Sequence, residues 1–260
     1  MHKVLFRQTL AEQGEYESCC KFLDTYKYRT EMPEDSIVIG RYSVLPYYQE
    51  LYHELARRNC TLINNYDQHR YIADITRYYD DLKDYTPATW ENWAGLPSDT
   101  SFIIKGKTNS RKFNWNELMF CKDINDVKSK ANKLLNDTFI LEQGIVVREY
   151  IPLKNFDTGI NGMPISNEWR FFCLGQQIID YGYYWYEDYT PTMIDQKAIE
   201  LVNKVMPIIS RHTNFYVIDV AETANGDWIV IELNDGQMAG LSQINHDRFY
   251  SNLSIALLCL

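Results

Sequence analysis

The stretch FYVIDVAETANGDWIVIELN, residues 215–234, decides the predicted fold. Two apolar runs flank the dipeptide Asn225-Gly226, which is a strong signal for a tight two-residue β-hairpin loop. In the register that such a loop sets, Asp219 lies directly opposite Glu232, and opposed side chains share a face with Cβ atoms about 5 Å apart. The sequence therefore predicts two carboxylates that face each other on an otherwise apolar hairpin.

The same register assigns the neighbouring residues to the two faces of the hairpin. Ala221 faces Val230, and period-two alternation places Asn234 on the face that carries Glu232. The other face receives three aliphatic side chains, Ile229, Ile231 and Leu233. Because one inserted residue would transfer a whole row of side chains to the opposite face, these assignments depend on an unbroken ladder.

Two opposed carboxylates repel each other, and three arrangements relieve the repulsion. One acid is protonated, an Arg or Lys lies between them, or a divalent cation bridges them. Asp219, Glu232 and the amide of Asn234 offer hard oxygen donors of the kind that Mg²⁺ prefers, alongside water and phosphate oxygens. The register favours the metal, and pairing with Lys or Arg side chains is the alternative.

Basic side chains that could serve a metal–phosphate site occur in three predicted strands. Lys105 ends the strand TSFIIK and opens the basic stretch KGKTNSRK, where its ammonium would act as a point charge on phosphate. Arg148 lies within VVREYI and Arg170 within EWRFF, and an Arg inside a strand is rarely buried unless it is paired. The alternatives are a solvated loop for the basic stretch and ordinary ion pairs of the arginines with the nearby Glu149 and Glu168.

Composition and charge exclude several classes of protein. The 260 residues carry a formal net charge of -9, which argues against a protein that binds nucleic acid over its whole surface. There is no run of about 18 apolar residues, and the first residues become polar too early for a signal peptide, so we expect a cytoplasmic protein without a membrane span. The six cysteines form no CxxC pair, which favours free thiols in a reducing compartment. The sequence motifs of Rossmann and P-loop sites, zinc proteases and serine hydrolases are absent.

Strands and helices alternate in the first part of the chain, and their order suggests a small parallel α/β lobe over residues 1–84. Strands are predicted at 36–42 and 60–65, and helices at 47–59 and 66–85. Over 85–260 we expect strands at 100–105 and 145–151, hairpins at 168–185 and 215–234, and helices at 126–136 and 193–211. Pro207 should kink or end the last of these helices.

The order of these motifs resembles the ATP-grasp superfamily. A strand Lys (FIIKG) is followed by a linking strand (VVREYI), a strand Arg (EWRFF), an Asp strand (YVIDV) and an acid-x-Asn strand (IELND). The pattern is most similar to the divergent clade named for two arginines and one lysine, which includes the eukaryotic cell-division-cycle factor that assembles a translation initiation factor. The resemblance implies an α/β (α+β) ATP-grasp fold that holds a nucleotide between two sheet-containing lobes, preceded by the small α/β lobe.

The resemblance also implies a role for each matching residue. The nucleotide phosphates or an acylphosphate would meet Lys105, Arg148 and Arg170. The hinge that contacts adenine would be Glu149, Tyr150 and Ile151. Mg²⁺ would be held by Asp219, Glu232 and Asn234. The sequence departs from the family in two places, because the loop after Lys105 is not Gly-rich and a Glu stands where the clade more usually has an Asp.

The function that the resemblance implies is an ATP- and Mg²⁺-dependent carboxylate–amine ligase, which acts through an acylphosphate on a peptide or protein substrate. Such phosphoryl transfer demands positioning and charge neutralisation rather than a protein nucleophile, which suits a site of Mg²⁺, Lys and Arg. There are two alternatives: an ATP-binding factor for protein assembly that does not turn over, and a small phosphotransferase that uses the same metal site.

Overall fold

The computed structural model describes residues 2–7, 14–44, 47–185, 191 and 193–259, and over these ranges the chain forms four sheets with flanking helices. The strands are β1 (His2–Phe6), β2 (Thr25–Tyr26), β3 (Ile37–Arg41), β4 (Thr61–Leu62), β5 (Thr89–Trp90), β6 (Phe102–Gly106), β7 (Phe120–Cys121), β8 (Ile145–Glu149), β9 (Asn155–Thr158), β10 (Pro164–Ser166), β11 (Glu168–Leu174), β12 (Gln177–Tyr183), β13 (Phe215–Glu222) and β14 (Trp228–Asp235). The helices are α1 (Glu15–Phe22), α2 (Tyr48–Ala56), α3 (Tyr66–Ala73), α4 (Ile75–Leu82), α5 (Ile124–Leu134), α6 (Thr138–Gln143), α7 (Gln196–Ile209) and α8 (His246–Leu257).

The N-terminal elements form a sheet in the order β2-β1-β3-β4, which is parallel as predicted, although β1 and β2 were not among the predicted strands. One face packs on α2 through Leu5, Val38 and Leu51. The opposite face, with Val4 and Ile39, enters a core that it shares with α8 and the central sheet. The N-terminal lobe therefore packs directly against the part of the chain that carries the hairpin.

The central sheet has the antiparallel order β12-β11-β13-β14. Because side chains alternate along a strand, Phe171 and Ile218 enter a core with α7, whereas Phe172 and Val217 enter the core shared with α8. Arg170 lies on the same face as Phe172, nearer the start of β11. One part of this face is therefore buried beneath α8, and the other part carries charged side chains.

The pairing of β13 with β14 confirms that Asp219 lies opposite Glu232. The hairpin loop, however, is one residue longer than predicted. The backbone amide of Thr223 donates to the carbonyl oxygen of Asp227 (2.7 Å), so that three residues, 224–226, connect the strands. A longer loop alone would have moved the two acids out of register.

A β-bulge at Ile231 adds the residue that restores the predicted register. Between the loop and the bulge the predicted pairing is wrong by one residue, because Ala221 lies opposite Ile229 rather than Val230. The predicted face is also wrong for Ile229 and Ile231, which line a cleft beside β14, while Val230 and Leu233 enter the apolar core. At Asp219 and Glu232 the register shift from the longer loop is therefore offset by the opposite shift from the bulge.

The remaining large sheet is antiparallel, in the order β5-β8-β6-β7, and packs on α5. The stretch 66–85 forms two helices rather than one, because the carboxylate of Asp74 accepts a hydrogen bond from the Thr76 amide (3.1 Å) and caps α4. Pro207 lies inside α7, which ends shortly afterwards at Ile209. Among the helices that the structure describes, none is long and apolar enough to cross a membrane.

Candidate functional site

A cleft lies between β6 and β8 on one side and β14 of the central sheet on the other. Its volume is about 110 Å³. One wall is apolar and includes Ile103, Ile229 and Ile231. The opposite end carries charged side chains, among them Lys105, Lys112, Arg148, Glu168 and Glu232. An apolar slot next to a dense group of charges is suited to a ligand that has a flat apolar part and an ionic part.

The first carboxylate of the predicted row, Asp219, is completely buried beneath the charged end of the cleft. Arg170, its cross-strand neighbour in β11, donates hydrogen bonds of 2.8 Å to each of its two oxygens. Burial lowers the pKa of Arg170, but the adjacent Asp219 carboxylate more than offsets this effect and raises it above the usual value. Arg170 is further held by the carbonyl oxygen of Gly240 (2.9 Å). The pair is therefore a rigid, fully desolvated ion pair.

The second carboxylate, Glu232, lines the cleft and accepts a hydrogen bond of 2.6 Å from the ammonium of Lys105. The ammonium of Lys112 lies 3.9 Å from the other oxygen of Glu232. Burial raises the pKa of Glu232, but the two ammonium groups outweigh it and hold the pKa well below its usual range. Each acid of the hairpin thus has a cationic partner. Such pairing is the alternative to a bound metal that the sequence analysis left open.

The donor chemistry of this row still fits Mg²⁺. Among the described residues, no three His, Cys, Asp or Glu side chains cluster closely enough to hold a metal ion. The carboxylate row consists of Asp219, Glu232 and Asn234, so its third oxygen donor is an amide rather than an acid. The NH₂ group of this amide donates a hydrogen bond to Asp219 (3.0 Å). The amide oxygen of Asn234 accepts no hydrogen bond from the described residues. Two carboxylates and this oxygen are hard ligands, and carboxylate oxygens have further lone pairs beside those that bind Lys105 and Arg170.

Arg148 is a buried cation that contacts neutral oxygens. It donates hydrogen bonds to the hydroxyl groups of Thr86 (2.6 Å) and Thr89 (3.2 Å) and to the carbonyl oxygen of Ile231 (2.6 Å). Burial lowers the pKa of Arg148. Among the described carboxylates none forms an ion pair with it, so the pair with Glu149 considered from the sequence does not form. The Glu232 carboxylate attracts the guanidinium but is hydrogen-bonded to Lys105, so Arg148 lies at the cleft without an ion pair of its own.

The three predicted hinge residues all line the cleft where β8 ends. The backbone amides of Glu149 and Tyr150 donate to the carbonyl oxygens of Ala88 (2.8 Å) and Ser101 (2.9 Å). The amide of Ile151 has no acceptor among the described residues. A free amide at the edge of an apolar slot is available to a ligand.

Two charged residues of the cleft were not assigned from the sequence, Lys112 and Glu168. The ammonium of Lys112 donates to the hydroxyl of Tyr184 (2.8 Å) and lies 4.0 Å from a carboxylate oxygen of Glu168. The signal for Lys112 was its place in the basic stretch after β6. The signal for Glu168 was its alternation with Arg170, but the ion pair considered between these two does not form, because Arg170 binds Asp219.

Glu168 is an incompletely compensated acid in this cleft. One of its carboxylate oxygens is enclosed by protein and has no hydrogen-bond partner among the described residues. Burial, which the Lys112 ammonium opposes only in part, raises the pKa of Glu168 to about 7. The folded protein therefore holds this proton more tightly than the unfolded chain does.

We expect Glu168 to make the nucleotide-free protein less stable as the pH rises from 4.5, the ordinary pKa, to about 7. The stabilisation from the protonated acid is complete below this window and is lost across it, in total about 3 kcal/mol at about 1.4 kcal/mol for each pH unit. Glu168→Gln cannot titrate and should lack this loss. Urea unfolding near pH 5 and near pH 8 gives the free energy of unfolding of both proteins. Between these pH values the wild type should lose stability relative to the Gln variant, and an identical pH dependence of both proteins would contradict the prediction.

The sequence and the fold are both similar to those of known proteins. A family model described as an ATP-grasp domain, family 3 of the clade named for two arginines and one lysine, matches residues 92–253. No curated protein sequence matches the chain significantly. The fold is similar to that of D-cycloserine synthetase DcsG, with a TM-score of 0.66 and 11% identity over 99% of this chain and 100% of that one. It is also similar to D-alanine–D-alanine ligase from Bacillus anthracis (TM-score 0.60, 11% identity, 98% and 97% of the two chains) and to the ATP-grasp ligase PsnB complexed with a minimal precursor (0.55, 11%, 99% and 98%).

Proposed function

The chain belongs to the ATP-grasp clade named for two arginines and one lysine, as the order of its motifs predicted, and on that basis we propose that it is an ATP- and Mg²⁺-dependent ligase that joins a carboxylate to an amine. The observation that carries the proposal is Arg148, a buried cation in the cleft that contacts neutral oxygens. A buried charge without a counter-ion is costly, and a nucleotide phosphate would supply the missing anion. Residues 1–84 would form the preceding lobe and residues 85–260 the ATP-grasp domain.

Adenine would occupy the apolar slot of the cleft. Ile229 and Ile231, which the bulge directs into the cleft, would pack against one side of the ring, and Ile103 lies among the apolar residues of the same cavity. The free amide of Ile151 would donate to a ring nitrogen of adenine. Glu149 completes the hinge, together with the neighbouring Tyr150.

The phosphates would then extend toward the charged end of the cleft, to Lys105, Arg148 and Arg170. Lys105 and Arg148 line the cavity, whereas Arg170 lies beneath it and orients Asp219. Mg²⁺ would be held by Asp219, Glu232 and the amide oxygen of Asn234, and when bound it would neutralise phosphate charge. The cavity of about 110 Å³ is smaller than the roughly 300–1,000 Å³ of usual ligand sites, so the cleft would have to widen for ATP to enter.

The proposed reaction proceeds in two steps. An oxygen of the substrate carboxylate attacks the γ-phosphorus of ATP, ADP leaves, and an acylphosphate forms. The amine then attacks the acyl carbon and displaces phosphate. Lys105 would stabilise the negative charge on the transferred phosphoryl group, while the ion pairs of the cleft hold the charged groups in fixed positions. No side chain needs to become covalently bonded to the substrate.

The amine and the carboxylate would be peptide or amino-acid groups, with a peptide or protein as the preferred carboxylate. A cytoplasmic location fits the six cysteines, all of which are free thiols. The site also suits the alternatives, because an assembly factor and a phosphotransferase would bind Mg²⁺·ATP through the same charged groups.

We expect the protein to form hydroxamates from ATP, Mg²⁺, hydroxylamine and members of a panel of amino acids, peptides and peptide acids. Hydroxylamine traps an acylphosphate without the natural amine, so the hydroxamate and an equal amount of ADP report carboxylate activation directly. Samples without ATP, or with EDTA in place of Mg²⁺, should form no product.

Three other outcomes would overturn the proposed ligase. Thermal stabilisation by Mg²⁺·ATP without hydroxamate or ADP would indicate a binding factor. A stable phosphorylated product that hydroxylamine does not consume would indicate a phosphotransferase. Neither stabilisation nor turnover would exclude an ATP site in this cleft.

A further inference from the structure

A second cavity, of about 180 Å³, adjoins the carboxylate row. Asn234 lines it, together with Thr108 and Asn109 of the loop that follows β6. Ser110 and Lys112 of the same loop line the first cleft instead. The loop therefore contributes to both cavities, and Asn234 places the second cavity beside the proposed Mg²⁺ ligands.

His69 of α3 lines this second cavity and is held by Asp235, the last residue of β14. The Nδ1 atom of His69 lies 2.9 Å from a carboxylate oxygen of Asp235. Asp235 also accepts hydrogen bonds from the Asn64 side chain (3.0 Å) and the Gln237 backbone amide (3.0 Å), which hold its carboxylate in place. Because a carboxylate can only accept, Nδ1 of His69 carries the hydrogen.

The other ring nitrogen of His69, Nε2, is the free one. It has no hydrogen-bond partner among the described residues, and it is not one of the polar atoms that the protein encloses. The ring stacks on Tyr48 with centroids 3.8 Å apart and planes at 4°, so it cannot easily turn. Asp235 and Tyr48 are thus the titratable groups packed against it. The His69 side chain is only 2% exposed, and a ring that lines a cavity, held through Nδ1 and unpartnered at Nε2, has the arrangement of a general base.

The second cavity suits an amine better than a carboxylate. Among the described residues neither Lys nor Arg lines it, so an anionic substrate would find no counter-ion there, whereas Asp235 adds negative potential. Its volume lies below the roughly 300–1,000 Å³ of usual ligand sites, which suits a small amine or the amino end of a larger one.

We propose that the second cavity binds the amine substrate and that His69, oriented by Asp235, is the general base that removes its proton. This inference rests on the proposed ligase function. The C–N bond forms between the amine nitrogen and the acyl carbon of the acylphosphate, and the C–O bond to phosphate breaks with its electron pair. Nε2 of His69 takes one proton from the substrate ammonium before attack and then passes it to solvent. The amine loses a second proton during attack, and the departing phosphate takes it up, so that one proton is released overall.

The alternative is that the His69–Asp235 pair only joins α3 to β14. In that case a substitution would impair all reactions of the protein equally. Nucleophiles that differ in protonation separate the two roles, because hydroxylamine is mainly a free base at neutral pH, while ammonium and amino acids are mainly protonated and need a base.

The experiment compares wild type with His69→Gln, using the carboxylate that gives the strongest hydroxamate signal. Hydroxamate formation with hydroxylamine should change by less than about threefold. Amide formation from ammonium chloride or from the twenty amino acids should fall about a hundredfold at neutral pH and recover as the pH rises and frees the amine. His212→Gln is the matched control: His212 also stacks on a tyrosine, Tyr71 (4.4 Å), and faces a carboxylate, Asp81 (3.6 Å), but it is half exposed and outside both cavities.

Each outcome decides one of the two proposals. A wild type that forms no hydroxamate from any carboxylate overturns the ligase function and this inference with it. Equal loss of hydroxamate and amide in His69→Gln, or a wild type that forms hydroxamate but no amide with any amine of the panel, overturns only the inference. Nitrogen-15 NMR of the wild type tests the same assignment without a variant, because the neutral ring of His69 should carry its proton on Nδ1, and the reverse tautomer would overturn it.

Discussion

Asp219→Asn should lower the free energy of unfolding by about 3–5 kcal/mol, because it removes the carboxylate that compensates a buried arginine. Both partners of the Asp219–Arg170 pair are desolvated, with side-chain exposures of 0% and 10%. An Asn of the same shape keeps the packing but leaves the guanidinium with one neutral acceptor in place of a counter-ion. Denaturant unfolding in the absence of nucleotide and Mg²⁺ measures the loss.

Asp180→Asn provides the control for this prediction. Asp180 also binds an arginine through both of its oxygens, with hydrogen bonds of 2.8 and 2.7 Å from Arg248. Arg248 is 56% exposed, so water can solvate it when the carboxylate is lost, and we expect a decrease of about 1 kcal/mol or less. Equal losses in the two variants would show that burial does not determine the contribution of Asp219.

Lys105→Ala should lower the hydroxamate-forming activity about a hundred- to a thousandfold. This is the usual effect of removing one group that stabilises charge in a transition state. The ammonium of Lys105 is the cation hydrogen-bonded to Glu232, and it lies at the end of β6 where the cleft becomes ionic. Steady-state kinetics of hydroxamate formation at saturating Mg²⁺·ATP measure the change, and Glu232→Gln should show a loss of similar size.

Lys107→Ala is the matched control, because Lys107 is two residues along the same chain segment and its ammonium binds Glu91 outside the cleft (2.6 Å). Its activity should remain within about twofold of the wild type, since an exposed ion pair contributes little. If Lys105→Ala retained full activity, the proposed phosphate contact would be refuted. Comparable losses in both lysine variants would instead point to a general disturbance of the loop.

Much of the fold follows from patterns that are local in the sequence. Strand alternation, the turn dipeptide and helix spacing predicted the parallel strands β3 and β4, both antiparallel hairpins of the central sheet and the helices α2, α5 and α7, with small shifts at their ends. The strands β1 and β2 and the helices α1, α6 and α8 were not predicted. The single helix expected over 66–85 was wrong because a side-chain cap at Asp74 starts a new helix, and capping competes with simple periodicity.

The candidate site was less predictable where it depends on irregular backbone. The two acids of the hairpin face each other as expected, but only because the bulge at Ile231 compensates for a loop that is one residue longer. No pattern of apolar residues revealed this bulge, and it is the reason why Ile229 and Ile231 line the cleft. The roles proposed for the hinge, the three cations and the metal ligands stay predictions that the experiments above test.

By itself, the sequence determined which residues carry the charges, namely the acids and the amide of the hairpin and the cations at fixed points of three strands. These features arise from side-chain alternation and turn chemistry, which act over a few residues. The tertiary structure decided which groups meet. Lys105 reaches Glu232 across 127 residues, and His69 reaches Asp235 across 166. Such contacts come from the packing of elements that are far apart in the sequence but share a core, and local periodicity contains no information about that packing.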